Sequence, residues 1–147
     1  MQIDIVNDHD GWQVDELRMQ AAIKLILAEA GVKSGAISIA IVDDTTIHRL
    51  NAEFLGHDYA TDVISFVLEQ REGYLEGEVV ASADTAARTA ERLGWPPDDE
   101  LLLYIIHGTL HLVGYDDLED TPRQIMRRRE AEVLAKFGLR SPMDRVE

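Results

Sequence analysis

The hydrophobic pattern along the chain alternates between strand-like and helix-like stretches. Residues 2–6 alternate polar and apolar side chains, which predicts a half-buried strand. Asp15 then offers an N-cap to a helical pattern that ends at Gly31. Residues 36–42 carry three isoleucines at every second position with small residues between them, a pattern typical of a strand covered on both faces.

The same patterns continue through the middle of the chain. Asp44 or Thr45 is the expected N-cap of a helix that places Ile47, Leu50 and Phe54 at core spacing.

Residues 63–68 and 78–82 are rich in β-branched residues and predict two further strands. Gly73 and Gly77 mark the turn between them, and residues 83–93 form a helical pattern. The two strands are close enough in sequence to predict an antiparallel hairpin.

A Gly-Trp-Pro-Pro run at residues 94–97 stops that helix, and Asp98 or Asp99 is the expected cap of the next helix, which runs to Leu112 before Gly114 ends it.

A final helix is expected after Pro122, to about Phe137. Strands that alternate with helices, together with one hairpin, predict an α+β fold. We expect a small mixed sheet of about four strands packed with about five or six helices.

Length and composition narrow the class of protein. The chain has 147 residues, of which 46% are hydrophobic, and these numbers predict one domain over residues 1–147. No stretch approaches the roughly 20 apolar residues of a membrane-spanning helix, and the N-terminus lacks the pattern of a signal peptide. We therefore expect a cytoplasmic protein. Because the chain has no cysteine, any metal must be held by His, Asp or Glu.

The formal net charge of -14 is unusual for a protein that binds nucleic acid, because it repels phosphate at long range. Binding of RNA would require basic residues concentrated locally. The last predicted helix offers such a cluster, at Arg123, Arg127, Arg128 and Arg129. The neighbouring Glu130 and Glu132 provide an equally simple explanation, in which these charges pair within the helix.

Two histidines carry the candidate chemistry. His107 and His111 stand four residues apart on a predicted central helix, which places their Cβ atoms about 6 Å apart on one face. Gly114 can turn the chain so that Asp116 or Asp117 returns to that face and completes a three-ligand site with an open position. Histidine pairs on helices often only pack or cap, but apolar neighbours leave these two rings in need of polar partners.

The run from His107 to Asp116 resembles the signature of the YbeY family of ribosomal RNA endoribonucleases, His-Gly-x-Leu-His-Leu-x-Gly-Tyr-Asp-His. Leu-Asn at residues 50–51, Thr-Asp-Val-Ile-Ser-Phe at residues 61–66 and Gly-Glu at residues 77–78 are also similar to family elements. The resemblance spans roughly residues 36–118.

Two residues depart from the family pattern. Asp117 stands where the family usually has its third histidine, so the resemblance implies a site of His107, His111 and Asp117. Leu55 follows Phe54 where many members have an arginine. Arg49 or His57 could compensate with positive charge, although a solvated arginine and an exposed loop histidine explain them equally well.

The resemblance implies a metal-dependent, single-strand-specific endoribonuclease with one Zn²⁺ per chain. It would act in ribosomal RNA maturation, at the 3′ end of the small-subunit RNA, and in ribosome quality control. Its expected partners are ribosomal RNA and the small ribosomal subunit or a ribosomal protein, with no membrane. In this role His107 and His111 act in catalysis through the metal, and Arg49, His57, Arg127 and Arg128 are weaker candidates for substrate binding.

Other interpretations stay open. Two histidines and a carboxylate also suit Fe(II) and other divalent ions. A non-catalytic ribosome assembly factor with a structural metal would fit the acidity, and so would a hydrolase of another small substrate. A peptidase of the His-Glu-x-x-His type is disfavoured, because Gly108 replaces the glutamate.

Four further residues have both a structural and a functional explanation. Thr61, Asp62 and Ser65 suit a turn and a strand entry about as well as a cleft wall. Glu78 is a weaker candidate for accepting a hydrogen bond from a ligating imidazole.

Overall fold

The computed structural model describes residues 1–142. Four strands and five helices are found in this part of the chain. In chain order they are β1 (Gln2–Asn7), α1 (Glu16–Glu29), β2 (Ser34–Val42), α2 (Asp44–Leu55), β3 (Val63–Arg71), β4 (Tyr74–Ser82), α3 (Ala83–Leu93), α4 (Pro97–Leu112) and α5 (Asp120–Ala135). The predicted α+β class, with a four-stranded mixed sheet and five helices, is confirmed.

The sheet has the strand order β1-β2-β4-β3. β1 pairs parallel to β2, and β2 pairs parallel to β4. β3 is antiparallel to β4, with Val63 opposite Ala81 and Arg71 opposite Tyr74. The predicted hairpin is therefore present, and it places β3 at an edge of the sheet.

Alternation along the strands builds two cores of unequal size. The larger core lies between one sheet face and helices α1, α3, α4 and α5. The opposite face packs on α2 through a small cluster of four buried residues, Val42, Ile47, Ile64 and Val80. Side chains that alternate along a strand point to opposite faces, so β3 contributes Val63 to the first core and Ile64 to the second.

Helix α4 crosses the larger core and is its most buried helix. Eleven of its 16 residues are buried, including an aliphatic run from Leu101 to Leu103. Burial of a Leu or Ile side chain contributes about 1.5–3 kcal/mol, so this helix is fixed firmly against the sheet. Side chains on α4 therefore have a rigid support.

Two of the predicted helix caps are wrong. Asp43, rather than Asp44 or Thr45, caps α2 and accepts a hydrogen bond from the Thr46 amide. Pro96 is the N-cap of α4 and makes no side-chain cap bond.

Asp98 and Asp99 lie in the first turn of α4 instead of capping it. Both contact Arg18, with Nη–Oδ distances of 3.4 and 2.8 Å, and so they tie α4 to α1. By contrast, the predicted Asp15 cap of α1 is confirmed by its bond from the Arg18 amide.

Other differences concern the second half of the sheet and α2. Gly77 lies inside β4 rather than in the turn, because β3 and β4 are each longer than their β-rich centres. Gly73 does form the turn, at φ +73°. Phe54 is 61% exposed, so its assignment to the core is wrong. Helix α5 begins at Asp120, before the proline, and ends at Ala135.

Within residues 1–142, every helix is too short or too polar to cross a bilayer.

Candidate metal centre

The two histidines project from the last two turns of α4 toward the surface, where each side chain is partly exposed. Gly108, between them, lies against the sheet. A Cβ at this position would stand 2.5 Å from Cγ1 of Val79 and 3.0 Å from Oγ of Ser65. The sheet therefore leaves no space for a side chain at position 108, and a glutamate could not be placed there without moving α4.

Three potential ligand atoms converge at this point. Nε2 of His107 lies 3.1 Å from Nε2 of His111. The Asp117 carboxylate approaches both rings, with Oδ2 at 3.3 Å from His107 Nε2 and Oδ1 at 3.5 Å from His111 Nε2. One donor atom from each of the three residues lies within 4.8 Å of the other two, so they could hold a single ion.

The Nδ1 atoms of the two histidines donate hydrogen bonds away from the cluster, which leaves the Nε2 atoms that point into the cluster as acceptors. His111 Nδ1 lies 3.1 Å from the carbonyl oxygen of Tyr115, which can only accept, so Nδ1 carries the proton. His107 Nδ1 donates in the same way to Glu130 Oε2 at 2.6 Å. A neutral imidazole has one N–H, so both Nε2 atoms present lone pairs to each other and to Asp117. A cation between them would accept these lone pairs and offset the repulsion among them, so the three residues fit a metal ion.

The charges around His107 favour a cation at the same place. Burial disfavours the imidazolium, but the hydrogen bond and charge of Glu130, with the charges of Asp62 and Asp117, outweigh it and raise the pKa of His107. Without an ion, a proton would balance the acceptors, and a bound metal would replace that proton.

The chain turns sharply after α4, with Gly114 at φ +106°, a conformation that favours glycine. The turn brings Asp117 back over the histidines. Asp116 is exposed and accepts a hydrogen bond from the Leu118 amide, so it does not share this position. Of the two aspartates that spacing left open, Asp117 is the one that lies beside both histidines.

Glu130 is the site residue that sequence reasoning missed. Its place among arginines of the same helix predicts only pairing within α5, but it contacts His107 across the α4–α5 interface. Glu78, the predicted acceptor for an imidazole, is exposed on β4 beside Phe66 and does not take this role. No local signal identified Glu130, because its partner lies 23 residues away.

An open cleft of about 470 Å³ leads to the three ligand atoms. Thr61, Asp62 and Ser65 line it, and they also have structural contacts. Asp62 accepts the Val63 amide at 2.8 Å, and Ser65 Oγ donates to the carbonyl of Gly108 at 2.9 Å. These residues therefore both line the cleft and stabilise the local structure, which are the two roles that the sequence left open.

The position that departs from the family pattern also faces this cleft. Leu55 lines it, so an apolar side chain stands where the family resemblance predicted an arginine.

The four weaker candidates for substrate binding do not gather at the site. Arg49 and His57 are exposed and are not among the described residues that line the cleft. Arg127 borders a small depression beside His107, together with Arg123. Arg128 is exposed on α5. Positive charge near the candidate metal ligands therefore comes from α5 rather than from α2.

Comparison with known proteins agrees with the motif. The family model described as endoribonuclease YbeY matches residues 4–138. A Rhodopirellula baltica protein named Endoribonuclease YbeY is 47% identical over 130 residues, which cover 87% of this chain and 66% of that protein. A Chlorobaculum parvum protein of the same name is 43% identical, over 80% of this chain and 82% of its own length. This chain thus spans just under two thirds of the first relative and most of the second.

The fold also has a counterpart among solved structures. The solution structure of a Thermotoga maritima protein superimposes with a TM-score of 0.61. The match covers 98% of this chain and 100% of that protein, at 23% sequence identity. At this identity the likeness concerns the fold alone.

Proposed function

The chain belongs to the YbeY endoribonuclease family, and from this membership we propose that it is a metal-dependent endoribonuclease that hydrolyses phosphodiester bonds in single-stranded RNA. The observation that carries the proposal is the convergence of three acceptor atoms, from His107, His111 and Asp117, at one end of an open cleft. Such a set with an open side is typical of a catalytic rather than a closed structural site.

His107, His111 and Asp117 would hold the metal, and Zn²⁺ is the proposed ion, one per chain. When bound, a divalent ion stabilises negative charge on phosphate oxygens and activates a nucleophile, effects worth several kcal/mol. The rigid backing of α4 by the sheet fixes the histidines at the position where the phosphate would bind.

The cleft walls would orient the substrate. Leu55 and Val67 offer apolar surface, and Thr61 and Ser65 offer hydroxyl groups. Arg123 and Arg127 would offset the protein's net charge of -14 near the phosphate.

The nucleophile is either water or the substrate's own 2′-hydroxyl. Because Gly108 has no side chain, the positioned glutamate of helical zinc peptidases is absent from this helix. A 2′,3′-cyclic phosphate product would identify the 2′-hydroxyl, and a directly formed linear phosphate would identify water.

The finer proposal concerns the biological substrate. We propose that the protein acts in the cytoplasm on ribosomal RNA, in maturation of the 3′ end of the small-subunit RNA and in ribosome quality control. The small ribosomal subunit or one of its proteins would be the partner. Family membership supports this assignment.

Cleavage of a defined RNA tests the activity. The zinc-loaded full chain would be incubated with an oligonucleotide from the 3′ end of small-subunit RNA, single-stranded or annealed to its complement. We expect cleavage of the single strand, little cleavage of the duplex, and loss of cleavage in His111→Ala. His48→Ala, at a histidine that pairs with Asp58 outside the cleft, is the control and should cleave like the wild type. Equal cleavage by His111→Ala would refute the proposal.

A non-catalytic assembly factor is the second candidate, and the net charge of -14 favours it, because acidity suits a basic protein partner better than RNA. In that case the metal would only tie α4 to the loop after Gly114. His111→Ala would then lower the melting temperature of the metal-loaded protein markedly, and no RNA cleavage would be found in the wild type.

A further inference from the structure

Helix α5 supplies none of the three candidate ligands, yet it contacts two of them from outside. Glu130 accepts the Nδ1 proton of His107 at 2.6 Å, and Arg123 Nε donates to the main-chain oxygen of Asp117 at 3.2 Å. Arg123 and Glu130 are seven residues apart, which is two helical turns, so they stand on the same face of α5. His111, by contrast, is held by its own helix end through Tyr115.

We propose that α5 positions the metal ligands, with Glu130 fixing the ring of His107 and Arg123 fixing the loop that carries Asp117. This inference rests on the proposed metal site, and it assigns Glu130 and Arg123 as positioning residues rather than ligands.

Burial makes the Glu130 contact strong. The Glu130 side chain is 12% exposed and the His107 side chain 21% exposed, so water competes poorly for this hydrogen bond. The contact holds the proton on Nδ1 and leaves Nε2 as the acceptor that faces the ion. Carboxylate partners of metal-bound histidines typically change metal affinity about 10- to 100-fold.

The Arg123 contact holds the loop that carries Asp117. Its guanidinium also reaches Asp120 Oδ1 at 3.3 Å, so one side chain bridges the carbonyl of Asp117 and the first turn of α5. Residues 113–115 hydrogen-bond back to the last turns of α4, whereas residues 116–119 belong to no helix or strand, and the Arg123 bridge limits where the Asp117 carboxylate can stand. Replacement of Arg123 should therefore weaken metal binding less than replacement of Glu130, which contacts the His107 ring directly.

Zinc affinity, measured with the metal alone, tests the inference without RNA. The dissociation constant would be determined by competition with a chromophoric chelator for wild type, Glu130→Gln and Arg123→Met. Glu132→Gln is the matched control, because Glu132 is on the same helix and pairs only with Arg129 among its described contacts. We expect Glu130→Gln to bind Zn²⁺ about 10- to 100-fold more weakly, Arg123→Met to show a smaller loss, and Glu132→Gln to match the wild type.

A folding defect is separated from a positioning defect by the melting temperature of each metal-free protein. If Glu130→Gln is unstable, Glu130→Asp provides a shorter carboxylate, which should recover part of the affinity. The visible spectrum of the Co²⁺-loaded protein should also change in Glu130→Gln, since ligand geometry determines it, but not in Glu132→Gln. Wild-type affinity in a folded Glu130→Gln would overturn the inference, whereas no zinc binding by the wild type would instead refute the metal site itself.

Discussion

Ser65 on β3 donates a hydrogen bond to the carbonyl oxygen of Gly108 on α4, at the turn of helix between the two histidines. This bond and the missing Cβ at position 108 bring the helix into direct contact with the hairpin strands. The edge strand β3 thus supports α4 between the two histidines. Its residues 63, 65 and 67 also form one wall of the cleft.

Gly108→Ala should destabilise the protein by about 1–3 kcal/mol, because the new methyl group would stand 2.5 Å from Val79 Cγ1. Helix propensity alone predicts the opposite sign, a gain of up to about 1 kcal/mol. Urea unfolding measures the difference. In the double variant with Val79→Ala, we expect a loss smaller than the sum of the two single losses. A stabilised Gly108→Ala would show that the helix can move away from the sheet at no cost.

Purified wild type should bind one Zn²⁺ per chain, and His107→Ala, His111→Ala and Asp117→Ala should each lose it. Elemental analysis after metal loading and desalting gives the stoichiometry, and zinc should raise the melting temperature of the wild type but not of these three variants. His48→Ala controls for adventitious binding to an exposed histidine and should keep its zinc. Zinc retained by Asp117→Ala would place the third ligand elsewhere.

Acid should weaken the contact between α2 and α3 through Asp44. Burial opposes ionisation of this carboxyl, but hydrogen bonds from Ser82, Thr85 and Arg88 outweigh burial and lower its pKa. A lowered folded-state pKa contributes stability that is present above the unfolded value, about pH 4, and is lost as the pH falls through the folded value.

Asp44→Asn should therefore be less stable than the wild type at pH 7, and the difference should narrow below about pH 4. Denaturant midpoints at a series of pH values measure it. Asp10→Asn, at an exposed position, is the control and should follow the wild type throughout. A stability difference that does not change with pH would show that Asp44 contributes through packing rather than through its charge.

Sequence patterns predicted the features that depend only on residues close together in the chain. The spacing of His107 and His111 is a property of one helix, so the sequence was sufficient to place both rings on one face. Glu130 could not be predicted in this way, because its contact arises where α5 packs on α4. The same holds for Asp98, whose partner Arg18 lies 80 residues away.

Phe54 shows the limit of periodicity. Its spacing from Ile47 is helical, and Ile47 is indeed buried against the sheet. Phe54, however, lies near Phe66 on β3, at 6.1 Å between ring centroids, and β3 is the edge strand. Among the described residues, no strand lies beyond β3 to cover this part of α2, so the side chain stays exposed. A hydrophobic period identifies the inner face of a helix but not where the covering sheet ends.

Asp117→His should shift the metal preference of the site toward zinc. The described ligand set combines two neutral imidazoles with one carboxylate, and carboxylates suit Mn²⁺ better than imidazoles do. A third imidazole would remove one negative charge and favour Zn²⁺. We expect the ratio of the Mn²⁺ to the Zn²⁺ dissociation constant to rise about tenfold or more, as measured by chelator competition for both ions. Asp116→His adds the same side chain at the neighbouring exposed position and should leave the ratio unchanged. Weaker binding of both ions with an unchanged ratio would argue that residue 117 shapes the loop without touching the metal.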